Sequence, residues 1–107
     1  MSVAERDAVF AALADEYRRV LLERLKRGNG QSLTRLCEGL PITRQAVTKH
    51  LMALEAANLV VTERRGREKR HYLNPVPINA VAMRWLQQFD KVPLDILSPP
   101  AQAKGPG

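Results

Sequence analysis

The stretch from Ile42 to Leu73, ITRQAVTKHLMALEAANLVVTERRGREKRHYL, leaves this chain few architectures to choose from. Val47, Leu51 and Leu54 recur at i, i+4 and i+7, helped by Ala53 and Ala57, which makes one apolar stripe on a helix that Thr43 can cap. Arg44, Gln45, Thr48, Lys49 and His50 are left largely on its other faces. Asn58 ends that helix. LVVTE (59–63) then has the β-branched content of a strand, Arg65-Gly66-Arg67 is turn chemistry, and KRHYL (69–73) pairs back as a second strand. A helix and a cationic hairpin joined with almost no slack can sit on a nucleic-acid backbone together, so DNA binding is the leading expectation, ahead of any enzyme.

The bulk properties agree. The 107 residues make one domain, or one domain with a tail. The net charge of +6 favours a polyanionic partner, and residues 44–70 hold seven Lys/Arg against three acids, so +4 of it sits in a quarter of the chain. No apolar run approaches the roughly 20 residues of a membrane span. The start, MSVAERDAVFAALADE, has acids where a signal peptide needs a basic region, and a single cysteine gives no disulfide framework. These features point to the cytoplasm.

The flanking segments build a scaffold around that stretch. Val3, Val9, Phe10 and Leu13 suit a first helix over residues 3–13. Asp15 can cap a second, in which Tyr17, Leu21 and Leu25 repeat every four residues until Gly28 stops it. Ser32 is a plausible cap for a short third helix with Leu33, Leu36, Cys37 and Leu40 inward, closed by Pro41. The third and fourth helices, joined by LPIT, make a helix-turn-helix whose second helix would enter the major groove. Asn74-Pro75-Val76-Pro77 breaks the last strand, and a final helix at about 78–91 puts Val81, Trp85 and Phe89 four apart, with Leu86 and Ala82 beside them. The expected fold class is mainly α with a small β-hairpin: about five helices plus a two-stranded wing. One domain spans 1–97, and the Pro/Gly-rich segment 98–107 is expected to be a disordered tail.

Residues 7–90 resemble the ArsR family of winged helix-turn-helix transcriptional regulators. The resemblance is carried by AVFAALADEYRRVLLERL, by LCEGLPITRQAVTKHLMALEAANLV and by GREKRHYL, the middle segment being the most specific. It implies a homodimer held by the first and last helices, binding an inverted-repeat operator and repressing transcription. The family's groove-reading positions fall on Thr43, Arg44, Gln45, Ala46, Thr48, Lys49 and His50. Arg44 can fork onto guanine and Gln45 onto adenine, while Thr43 and Thr48 can donate to phosphate. Ala46 can meet a thymine methyl, and Lys49 suits the backbone, which positions without specifying. His50 is either half-buried and hydrogen-bonded or close to the phosphates, with the latter favoured. His71, on a strand beside Tyr72, is more readily structural or solvent-facing.

In the wing, Arg64, Arg65, Arg67, Lys69 and Arg70 are five bases within seven residues, and strand alternation stops all five pointing one way. Arg65 and Arg67, at the tip, are favoured for the minor groove or its flanking phosphates. For the dimer contact, Trp85, Leu86 and Phe89 are paired with Val9, Phe10 and Leu13, although helical spacing alone does not separate that role from intrachain core.

Metal sensing through the family's known arrangements is not expected. The third-helix thiol pair would fall on Ser32 and Thr34, neither a soft ligand, and the last helix offers no His and only Asp90 as an acid. Cys37 reads as a small buried hydrophobe, with a lone redox switch as the lesser alternative. No metal and no cofactor are therefore expected, and a small-molecule effector is left open. The rival readings are an RNA-binding winged helix and a protein-interaction module on the same scaffold. The second would favour neutral or acidic residues where this chain has Arg44, Lys49, Arg65 and Arg67. No paired carboxylates, no nucleophile with a base and no glycine-rich phosphate cradle suggest an enzyme.

Overall fold

The computed structural model describes residues 1–91 and Pro93. Its elements run α1 (Val3–Leu13), α2 (Glu16–Arg27), β1 (Gln31–Ser32), α3 (Leu33–Cys37), α4 (Arg44–Ala56), β2 (Val60–Arg65), β3 (Glu68–Leu73) and α5 (Val76–Arg84), closed by a 3₁₀ turn at Leu86–Lys91. The tail expected at 98–107 lies outside the described residues. Among those described, no helix is long and apolar enough to cross a membrane.

The first four helices begin where a short polar side chain can satisfy free backbone N–H groups. Ser2 and Glu5 form a reciprocal capping box on α1. The Asp15 carboxylate accepts from the N–H groups of Tyr17 (2.8 Å) and Arg18 (3.1 Å) at α2. Ser32 accepts from Arg35 N–H at α3, and Thr43 from Ala46 N–H at α4. The helices then bury one face each. Val9 and Ala12 of α1, Leu21, Leu22 and Leu25 of α2, Leu36 of α3, Val47, Leu51 and Leu54 of α4 and Val81 of α5 form one core with Leu59 and Val60. Val3, expected on the apolar face of α1, is exposed instead.

The end of α4 is a closely bonded joint. Asn58 adopts a left-handed backbone (φ 64°), and its N–H donates to the Glu55 carbonyl while Leu59 N–H reaches back to Leu54. These are the paired bonds of a Schellman cap, and the buried Leu54 and Leu59 supply the apolar contact that accompanies it. Asn74 closes the joint from the other side: its N–H donates to the Leu59 carbonyl and its side-chain amide to that of Asn58, both at 2.8 Å. The helix end and the base of the hairpin are thus one hydrogen-bonded unit.

Three expectations change. The wing is part of a three-stranded antiparallel sheet, ordered β1-β3-β2, with Gln31 opposite His71 and Ser32 opposite Arg70. A two-residue strand is too short to show alternation, so its sequence carries no signal. The hairpin itself turns through Gly66-Arg67, with Arg65 opposite Glu68 and Gly66 at φ 62°. Second, α3 stops at Cys37 rather than at Pro41, because Glu38 leaves the helical region and Gly39 takes φ 76°. Third, the last helix starts earlier and ends sooner than 78–91. Pro77 fits its first turn, where a missing N–H has no helical partner. At Trp85 the winding changes to 3₁₀, and the indole packs edge-on against Phe10 (5.3 Å) and Phe89 (5.0 Å), with the Arg6 guanidinium 5.5 Å from its ring. Spacing cannot separate 3.0 from 3.6 residues per turn over so short a run.

Replacing Leu54 with alanine is expected to cost about 3 kcal/mol by leaving a cavity. Asn58→Gly should be close to neutral, whereas Asn58→Ala should cost about 1 kcal/mol through left-handed strain. Urea unfolding of the three variants checks both expectations; equal stability of the Asn58 pair would show that the cap is not strained.

Candidate nucleic-acid interface

Opposite the buried stripe of α4 lie Arg44, Gln45, Thr48, Lys49 and Met52, which line one shallow open depression. Arg44 is not loose: its guanidinium donates to Thr34 Oγ1 on α3 at 3.3 Å, which holds it at the start of the helix. Thr48 donates its hydroxyl to the Arg44 carbonyl one turn back, so its proton is turned away from solvent. The Thr43 oxygen caps the helix, leaving its hydroxyl proton free to donate outward. Gln45 and Lys49 are exposed, and Ala46 is half-buried on the flank.

His50 does not join this face. Its Nδ1 lies 3.8 Å from Asp15 Oδ1 and its ring 6.0 Å from that of Tyr17, so it packs on the start of α2. That places it with the half-buried alternative and away from the phosphate-facing one. The Asp15 carboxyl is held below the usual carboxylate range, chiefly by the Arg18 N–H, with His50 adding to the effect. His71 is buried, and its Nδ1 lies 3.0 Å from the Gln31 carbonyl. A carbonyl only accepts, so the ring carries its proton there and pins β1 to β3.

The register of the wing sorts its cations by face. Val60/Leu73, Thr62/His71 and Arg64/Lys69 share one face, and Lys69 Nζ lies 3.8 Å from Glu55 Oε2 on α4. This face therefore continues the surface of the fourth helix. Val61/Tyr72, Glu63/Arg70 and Arg65/Glu68 share the other. There Arg65 pairs with Glu63 at 3.2 Å and Arg70 with Glu68 at 2.7 Å, while Arg70 also donates to the Gly30 carbonyl. The Glu63 carboxyl is held below its ordinary range, first by the Tyr72 hydroxyl and then by Arg65. The back of the wing is charge-neutralised.

Arg65, expected at the tip, is thus turned to the back and compensated. Among the described residues Arg64 and Arg67 form no ion pair, Arg64 on the α4 side and Arg67 in the turn. Sequence reasoning also missed Met52, Thr34 and Glu55. Helical phase could have found Met52, which falls on the same ridge as Gln45, Thr48 and Lys49. Thr34 and Glu55 matter only through partners on other elements.

Of the residues weighed as metal ligands, Ser32 and Thr34 have other partners. Ser32 caps α3, Thr34 holds Arg44, and Cys37 lies half-buried against the core. Of the proposed dimer residues, Val9 is 1% exposed and belongs to its own chain's core, while Phe10 and Leu13 are partly buried against that core. Trp85 is half-buried, and Leu86 and Phe89 are exposed.

Comparisons with known proteins agree with this geometry. A helix-turn-helix domain family matches residues 13–63. An uncharacterized HTH-type transcriptional regulator of Bacillus subtilis, YuzN, is 36% identical over 88 residues, covering 77% of this chain and 96% of that protein. The HTH-type transcriptional regulator Rv2034 of Mycobacterium tuberculosis is 36% identical over 75 residues, covering 70% of this chain and 69% of that one. Among solved structures, an ArsR-like transcriptional regulator from Rhodococcus sp. RHA1 superposes with a TM-score of 0.73 at 40% identity, covering 82% of each chain. With a capped helix-turn-helix, a wing fused to its end and relatives matched over most of their length, the chain belongs to the ArsR family of winged helix-turn-helix transcriptional regulators.

Proposed function

We propose that the chain is a homodimeric, cytoplasmic repressor that binds an inverted-repeat operator in double-stranded DNA, with residues 43–57 in the major groove and the wing, 59–73, against the adjacent backbone. The observation that carries this reading is the division of charge. On the exposed face of α4 and the near face of the wing, Arg44, Lys49 and Arg64 carry no ion pair among the described residues, and Lys69 has only a long one to Glu55 (3.8 Å). The far face of the wing is neutralised by the closer Glu63–Arg65 and Glu68–Arg70 pairs. A merely solvated hairpin has no reason to separate its charges in this way.

Within this reading Arg44 and Gln45 contact base edges, and Thr43, Lys49, Arg64, Arg67 and Lys69 contact phosphate. Arg65 and Arg70 shape the wing rather than touch DNA. Two copies would address half-sites about 34 Å apart. The contact between copies is the apolar end of the molecule: Met1, Val3, Val76, Met83, Leu86 and Phe89 are six of the eight large hydrophobics exposed among the described residues, and all lie at the start of the chain or on α1, α5 and the 3₁₀ turn. Scattered exposed side chains are ordinary, but a cluster of this kind marks an interface. Within this reading the release signal does not act through the family's thiol-pair positions, since Ser32 and Thr34 are not soft ligands.

If the dimer neutralises about eight phosphates, log affinity should fall against log salt with a slope near −7. Arg64→Ala and Arg67→Ala should each lower affinity for all sequences and flatten that slope, whereas Arg65→Ala should do so much less. Arg44→Ala should relax preference at one base pair, costing about 1–3 kcal/mol there. Binding selections from random duplexes, followed by salt titrations, check these outcomes. Uniform losses for all four variants would remove the assigned division of labour, and preference for single-stranded or duplex RNA would support the RNA-binding alternative.

Light scattering should report a dimer at micromolar concentration. Phe89→Glu should shift it to monomer without lowering the helical signal, because Phe89 is 52% exposed in the single chain. A tight monomer before mutation contradicts the dimer.

A further inference from the structure

Two large hydrophobics are exposed away from the apolar end. Val61 sits on the back of the wing beside Tyr72, its cross-strand neighbour. Met52 is different: it is 60% exposed on the fourth helix, and it lines the same depression as Arg44, Gln45, Thr48 and Lys49. Helical phase puts it almost directly in line with Gln45, seven residues and two turns away. Nothing in the single chain covers it. Its position is therefore on the face assigned to DNA, one turn beyond Thr48 toward the end of the helix.

The chemistry of the major groove then restricts what Met52 can meet. Each base presents hydrogen-bonding groups there, and thymine alone adds a methyl, at C5, where cytosine has only a hydrogen. A thioether driven against a polar base edge would strip water without replacing its hydrogen bonds, which is unfavourable. Against a methyl it gains contact at no such cost, and the flexible, polarizable side chain adapts to the distance. We propose that Met52 is a specificity-determining residue that packs on the C5-methyl of a thymine in each operator half-site, a step that rests on the DNA-binding reading above. The rise of an α-helix places Met52 about 10 Å along the helix from Gln45, so that thymine lies beyond the pair Gln45 addresses, in the direction of the helix's C-terminal end.

The test separates a methyl contact from a structural role. Duplexes enriched by the full chain from a random pool supply the operator. Each thymine of a half-site is then replaced in turn by deoxyuridine, which removes the methyl and leaves base pairing unchanged. One position should lose about fourfold in affinity per half-site, the effect of one buried methyl. In Met52→Ala that loss should vanish, and in Met52→Leu it should persist, with both variants retaining the wild-type melting temperature. Cytosine at the same position should bind more weakly than thymine and recover on 5-methylation.

The proposal is overturned if no thymine shows more than a twofold effect, or if Met52→Ala keeps the same loss. Enrichment of a duplex without methyl dependence overturns this contact alone. Failure to enrich any duplex overturns the DNA reading with it.

Discussion

The left-handed turn at Asn58 is the constraint on which the rest of the structure depends. A helix that ended in a flexible loop could carry base-reading residues, but it could not fix where a hairpin lies beside it. Here the two Schellman hydrogen bonds, the buried Leu54–Leu59 pair and the clamp from Asn74 join α4 to β2 without a free residue between them. Rotation of α4 must therefore carry the wing with it. Any motion of the helix would change the position of both elements of the proposed DNA interface together.

Electrostatics follows from that joint. Because the hairpin leaves α4 at a set angle, alternation along β2 and β3 assigns alternate cations to a near and a far face. Lys69 reaching Glu55 marks the near face, and the Glu63–Arg65 and Glu68–Arg70 pairs close off the far one. Exposed pairs of this kind add little stability. Their consequence lies in where they leave positive charge unopposed, which is at Arg64, Arg67 and the exposed side of α4. The two histidines fit the same scheme as structural residues, one against α2 and one pinning β1.

Much of this was legible in the sequence. The stripe Val47, Leu51, Leu54 and the caps Asp15, Ser32 and Thr43 all stand where the pattern places them, because a cap acts within three residues of itself and a helical stripe repeats within one element. The resemblance of residues 7–90 to ArsR regulators rested on the same local signals. The boundaries that failed were set by something else. The end of α3 depended on two backbone conformations just before Pro41, β1 on a partner forty residues away, and the break at Trp85 on the aromatic packing against Phe10.

The sequence by itself determined the helix-turn-helix, the hairpin and the excess of positive charge around them, because these arise from local propensity and periodicity. Only the tertiary structure decided which charges are left without a partner. Arg65 looked like the tip residue and Arg64 like its neighbour, yet the register with β3 sends Arg65 to Glu63 and Arg64 to the side of α4. His50 was open between a half-buried place and the phosphates, and the packing of α4 on α2 turned it inward to Asp15. Val9 looked like a dimer residue and became core. Periodicity says that a side chain has a face; what that face meets depends on elements distant in sequence, and only their packing supplies it.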